Sequence, residues 1–75
     1  MEERIVLNPA IQHGKPIVRG TRVPVVRLLA ELAEGTAPDE IVREYGVSPE
    51  DLAAAIRYSA DLLDSEKIHP FPASA

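Results

Sequence analysis

One four-residue design occurs twice in this chain, twelve residues apart, and it constrains the fold more than any other feature. Thr36-Ala37-Pro38-Asp39 and Ser48-Pro49-Glu50-Asp51 each set a hydroxyl residue ahead of a proline, with an acid three positions on. A Ser or Thr oxygen can accept from the orphan amides of a new helix, and the acid favours the positive end of its dipole. Proline is tolerated in the first turn, where its missing N–H costs nothing. Both segments therefore read as helix starts. Only a short helix, about 37–45, and a turn of about three residues containing Gly46 fit between them, which is the layout of a helix-turn-helix. The second of these helices is expected from 49 to about 65, roughly 25 Å long at 1.5 Å per residue. The first should bury Ile41, Val42 and Tyr45, and the second Leu52, Ala55, Ile56, Ser59 and Leu63. Ile41, Tyr45, Val47, Leu52 and Ile56 would form the seam between them.

An earlier helix is marked by periodicity. Val25, Leu28, Leu29, Leu32 and Ala33 repeat on one helical face, Arg27, Glu31 and Glu34 lie off it, and Gly35 supplies a stop. Ahead of it the pattern is that of short strands. Arg4-Ile5-Val6-Leu7 and Ile17-Val18-Arg19 are the candidates, separated by the Asn8-Pro9 turn signal and a His13-Gly14-Lys15-Pro16 loop. Gly20-Thr21 reads as a tight turn and Arg22-Val23 as a return strand that Pro24 ends. The expected fold class is mainly α: an N-terminal hairpin of short strands followed by a three-helix helix-turn-helix bundle over residues 4–66. Residues 67–75, with two prolines and no period, form a tail.

With 75 residues the chain can be only one domain. A domain this small buries only about 60% of the surface its unfolded chain exposes, so association is a ready source of added stability. A homodimer is the expectation. The chain has no cysteine, which excludes disulfides, thiolate catalysis and cysteine-based zinc sites. Its start is charged, and no apolar run is long enough to cross a membrane. No membrane partner is expected, and the cytoplasm is the expected location.

Charge is distributed unevenly. Residues 1–27 hold Arg4, Lys15, Arg19, Arg22 and Arg27 against Glu2 and Glu3, a net of +3, while residues 28–75 hold three bases and ten acids, a net of −7. Nucleic-acid affinity comes largely from phosphate neutralisation, so a DNA-binding face could lie only toward the N-terminus. The helix that would normally enter the major groove presents Pro49, Glu50, Asp51, Ala53, Ala54 and Arg57, of which only Arg57 suits a base or phosphate. Lys15, Arg19 and Arg22 are the better nucleic-acid candidates. The acidic helices suit a basic partner instead.

No catalytic constellation is visible. His13 and His69 are far apart in sequence, and no Ser-His-Asp order, His-Glu-x-x-His motif or carboxylate pair occurs. The expectation is a non-enzyme with no metal and no cofactor. Gly14-Lys15-Pro16 is not a phosphate-binding P-loop, because a proline and a strand follow the lysine.

Several segments together carry a resemblance. They are Ile5 to Asn8-Pro9, then Gly14-Lys15-Pro16-x-x-x-Gly20-Thr21-Arg22-x-x-Val25, then Leu29-Ala30-x-Leu32-Ala33-x-Gly35, then Glu40-Ile41 and Tyr45. In these the chain resembles the family called domain of unknown function 433, over about residues 4–65. Glu44-Tyr45-Gly46-Val47-Ser48 departs from the Asp-Tyr-Pro-x-Leu turn of many members. The resemblance implies a homeodomain-like helix-turn-helix with a β-hairpin. It also implies similarity to VapB-type antitoxins that neutralise a PIN-like ribonuclease toxin, with operator DNA as a second ligand.

The acidic helical body agrees with the antitoxin expectation, since a nuclease that handles RNA has basic surroundings. The tail is either a disordered end or an extended segment anchoring a partner through Ile68 and Phe71. The alternatives are a stand-alone DNA-binding transcriptional regulator and a structural dimer or adaptor.

Overall fold

The computed structural model describes residues 3–65. Two strands, β1 (Ile5–Leu7) and β2 (Pro16–Val18), precede three helices, α1 (Val25–Ala33), α2 (Pro38–Tyr45) and α3 (Pro49–Ser65). The strands pair antiparallel, with Ile5 opposite Val18, Val6 opposite Ile17 and Leu7 opposite Pro16. Between them Asn8 closes its own turn, its Oδ1 accepting from the Ala10 N–H at 2.9 Å. A left-handed turn at Gln12–Gly14, closed by bonds from the Gly14 N–H to the Ile11 carbonyl and from the Lys15 N–H to the Gln12 carbonyl, then leads into β2.

The expected return strand at Arg22-Val23 is not formed. The Thr21 hydroxyl donates to the Val18 carbonyl at 2.7 Å and accepts from the Val23 N–H at 3.0 Å. It thereby occupies backbone groups that a ladder would have paired. One bond from the Val18 N–H to the Val23 carbonyl and a lone bridge between Ile17 and Pro24 are what remain. Pro24 has no N–H to add, and α1 begins at the next residue.

α1 has the expected bounds. Its C-terminus is closed by Gly35 at φ 90°, with Gly35 N–H bonded to the Leu32 carbonyl and Thr36 N–H to the Glu31 carbonyl, both at 3.0 Å. This is the paired-bond arrangement of a Schellman cap. Thr36 is thereby committed to the end of α1 and does not cap α2 as the sequence suggested. The N-cap of α2 is Ala37, whose carbonyl accepts from Glu40 and Ile41 at 3.0 Å with no side-chain contribution. The second start does form as expected. Ser48 Oγ accepts from the Asp51 N–H at 2.9 Å, and Asp51 Oδ2 accepts from the Ser48 N–H at 3.0 Å, a reciprocal capping box. Gly46 makes the reversal between α2 and α3 at φ 67°, a conformation costly for side chains with a Cβ.

Val18, Val25, Leu28, Ile41, Val47, Leu52 and Ala55 form the core, so β2 and all three helices contribute to one cluster. Leu28, Ile41 and Ala55 are wholly inaccessible. Val42 and Tyr45 are half-buried against the cluster. Two expected core residues are on the surface: Ile56 is 45% exposed and Leu63 61%. α2 has only eight residues, and between it and α3 an open groove lined by Pro38, Val42 and Pro49 leaves Ile56 uncovered. Leu63 is exposed because α3 runs past the body of the domain, and every residue from Ala60 to Ser65 is exposed.

Candidate binding surfaces

The register of the sheet gathers arginines at one end. Arg19 follows β2, and its N–H donates to the Arg4 carbonyl at 2.8 Å, which sets Arg4 and Arg19 side by side. Arg19 and Arg22 flank the Gly20-Thr21 turn and are both exposed. Among the described residues Arg4 is the one arginine of this group with an acidic partner, its Nη1 lying 3.0 Å from Asp51 Oδ1. Burial pushes the Asp51 carboxyl up, but the Ser48 N–H, the Arg4 guanidinium and the Ser48 side chain outweigh it and hold the group below the usual carboxylate range.

The four sequence-predicted cations are not one site. Lys15 stands at the other end of β2, about 13 Å from Arg19 for four residues of extended chain. The Gln12-His13-Gly14 turn ahead of it has three consecutive positive φ values, 53°, 56° and 80°. Two of those residues carry a Cβ, so this loop stores strain of about 1–3 kcal/mol per residue. The Gln12 side chain donates to the Arg22 carbonyl at 3.4 Å and ties the loop to the second turn. Arg57 projects from α3 into a shallow depression that Arg4 also lines, with Tyr58 and Asp61.

Of the α3 positions expected to face outward, Pro49, Glu50, Ala53 and Arg57 are exposed. Asp51 and Ala54 are half-buried; Asp51 is turned inward by its cap and by Arg4. Ile68 and Phe71, the tail residues proposed as anchors, lie outside the described residues.

Sequence reasoning missed Glu31. Placed off the apolar face of α1, it is half-buried, its two carboxylate oxygens accepting from the Tyr45 hydroxyl at 2.6 Å and the Thr36 hydroxyl at 2.7 Å. These bonds, Tyr45's first, hold the Glu31 carboxyl below its usual range, and the same contact raises the Tyr45 phenol. The clasp fastens α2 to α1. No spacing rule announces a contact fourteen residues apart across a turn.

A groove of about 260 Å³ runs between α1 and α3, lined by Val25, Val26, Leu29, Tyr58 and Leu62, with Lys15 at its edge. Among the described residues no three His, Asp or Glu side chains are grouped to hold a metal. No helix among them is long and apolar enough to cross a membrane.

A two-stranded sheet with arginines at its turn, leading into a three-helix bundle whose last two helices form a helix-turn-helix, defines the class of this domain. The comparison with known families is specific. The chain belongs to the family described as protein of unknown function (DUF433), whose model matches residues 5–59. It is similar to the crystal structure of a DUF433 member from Anabaena variabilis, with 31% identity and a TM-score of 0.78 over 84% of this chain and 63% of that one. Rv2018 from Mycobacterium tuberculosis is similar too, at 33% identity and a TM-score of 0.65 over 69% of this chain. The match spans just 24% of the Mycobacterium tuberculosis protein. No curated protein matches the chain.

Proposed function

We propose that this protein is a non-catalytic binding module of the antitoxin type, acting in the cytoplasm by occupying and neutralising a PIN-like ribonuclease. The observation that carries the reading is the charge of the helical body. Glu34, Asp39, Glu40, Glu44, Glu50, Asp61 and Asp64 are all exposed on the helices or the turns beside them, against Arg27, Arg43 and Arg57. Such a surface repels phosphate and attracts the basic surroundings of a nuclease that holds RNA. Ile68 and Phe71 are the proposed apolar anchors of the same interaction. Co-expression with the product of an adjacent gene tests it. A stable complex and restored growth are expected, and a toxic neighbour that forms no complex refutes it.

The second reading is a DNA-binding regulator, and Arg19 and Arg22 at the sheet turn favour it. Arg57, in the depression that Arg4 also lines, and Lys15, at the other end of β2, would serve as further phosphate contacts. Duplex binding would then weaken steeply with salt, and Arg19→Ala or Arg22→Ala would lower affinity and reduce the salt slope by about one each. An undetectable or salt-independent interaction refutes this reading.

A further inference from the structure

We propose that the uncovered face of α3, with the α2–α3 groove it borders, docks one amphipathic helix of a different protein, and that this helix carries base, acid and base in successive heptads along its edge. Pro49, Ala53, Ile56, Ala60 and Leu63 follow one another at steps of four, three, four and three residues, and all five are exposed. At 100° per residue they span an arc of about 80°. That arc is turned roughly 90° from the direction in which Leu52, Ala55 and Ser59 enter the domain, so it is a second stripe and not an extension of the core. Alternate steps of four and three are the 3.5-residue period by which one helix sets its side chains into another. An extended peptide repeats its contacts every two residues and would miss this spacing. The two alanines allow a partner helix to come close, and Ile56 and Leu63 supply apolar area. Two depressions, of about 240 Å³ and 370 Å³, meet over Ala53 and Ile56, the first walled on its far side by Pro38, Asp39 and Val42 of α2.

Charge selects the occupant. Glu50, Arg57 and Asp64 each follow a stripe residue directly, which puts them on one edge of the stripe at seven-residue intervals. All three are exposed, and none is in an ion pair among the described residues. A second copy fits this edge poorly. Laid antiparallel, with Ala53 over Leu63 and Ile56 over Ala60, it would set Arg57 beside Arg57 and Glu50 beside Asp64. Laid parallel, it would set the three charges against Leu52 and Ser59, which cannot pair them. A helix with bases opposite Glu50 and Asp64 and an acid opposite Arg57 is complementary along the whole edge. Asp39, on the α2 wall at the Pro49 end, favours a base there too. This assignment goes beyond the antitoxin reading, and its test needs no nuclease.

The probe is a synthetic helical peptide of three heptads, with leucine and alanine alternating at its seam positions and Lys, Glu and Lys in successive heptads along both edges. Calorimetric titration into the full chain measures its affinity, and amide chemical shifts locate it. Micromolar binding is expected, with shifts centred on Ala53, Ile56 and Ala60. A peptide with Glu, Lys and Glu at the same edge positions should bind at least about tenfold more weakly, since three exposed pairs are lost. Ile56→Glu and, separately, Leu63→Glu should each abolish binding with unchanged far-UV circular dichroism, because neither side chain belongs to the core. Arg57→Glu should weaken binding severalfold, and a peptide whose central glutamate is replaced by lysine should restore it. Absence of binding overturns the proposal. So does binding that ignores the order of charges, that survives both glutamate variants, or that shifts the amides of another face.

Discussion

Replacing Asp51 by alanine tests how the N-terminal sheet is coupled to α3. The carboxylate accepts from the Ser48 N–H at 3.0 Å, pairs with Arg4 at 3.0 Å and stands in the first turn of α3. Losing the capping bond from a half-buried amide costs about 1 kcal/mol. The Arg4 pair adds about 0.5 kcal/mol, because the arginine side chain is 41% exposed and solvent screens it. Removing the negative charge from the helix N-terminus adds roughly another 0.5 kcal/mol. The expected loss is about 2 kcal/mol at neutral pH, or roughly 10 °C in Tm for a domain of this size. Urea unfolding followed by circular dichroism measures it. The folded carboxyl is depressed, so its contribution is present above the unfolded value of about 3.9 and disappears as pH falls through the lower folded value. The two unfolding curves should therefore converge on strong acidification. A gap that persists unchanged in acid, or one below about 0.5 kcal/mol at neutral pH, refutes the reasoning. A double-mutant cycle with Arg4→Ala should return a coupling of about 0.5 kcal/mol.

Two further outcomes follow from the packing. Leu28→Ala removes a wholly buried side chain from the centre of the core and should cost about 2–5 kcal/mol, read from the urea midpoint; a loss under about 1 kcal/mol would mean that the site collapses around the gap. In a Tyr58→Phe background, which leaves Tyr45 as the tyrosine observed, absorbance titration should place the phenol above its usual range of about 10, and Glu31→Gln should bring it back down. An unmoved midpoint would mean that the Glu31–Tyr45 bond does not form in solution.

The helices were legible because their signals are local. Val25 to Ala33, Gly46 and the Ser48–Asp51 pair act over one turn, and each ends up where its own chemistry places it. Thr36 shows where local reading stops. The same residue can begin one helix or finish another, and the Schellman bonds of Gly35 and Thr36 decided for the end of α1. The predicted return strand failed for a comparable reason, since the Thr21 hydroxyl outcompeted a ladder only two residues long. Ile56 and Leu63 carry the apolar period of α3 yet lie on the surface, because periodicity states which face a residue occupies and is silent on whether another element reaches it.

The surfaces divide along the same line. From its sequence alone the chain is a cysteine-free helix-turn-helix with an acidic body, a basic first third and no visible catalytic set, because composition and one-turn patterns suffice for those statements. Only the tertiary structure sets Arg4 beside Arg19, turns Asp51 inward, puts Lys15 at the far end of β2, brings Arg57 into one depression with Arg4 and clasps Tyr45 to Glu31. Those relations depend on strand register and on the lengths of α2 and α3. The physical reason is that burial and pairing belong to two elements at once, whereas a sequence pattern describes one.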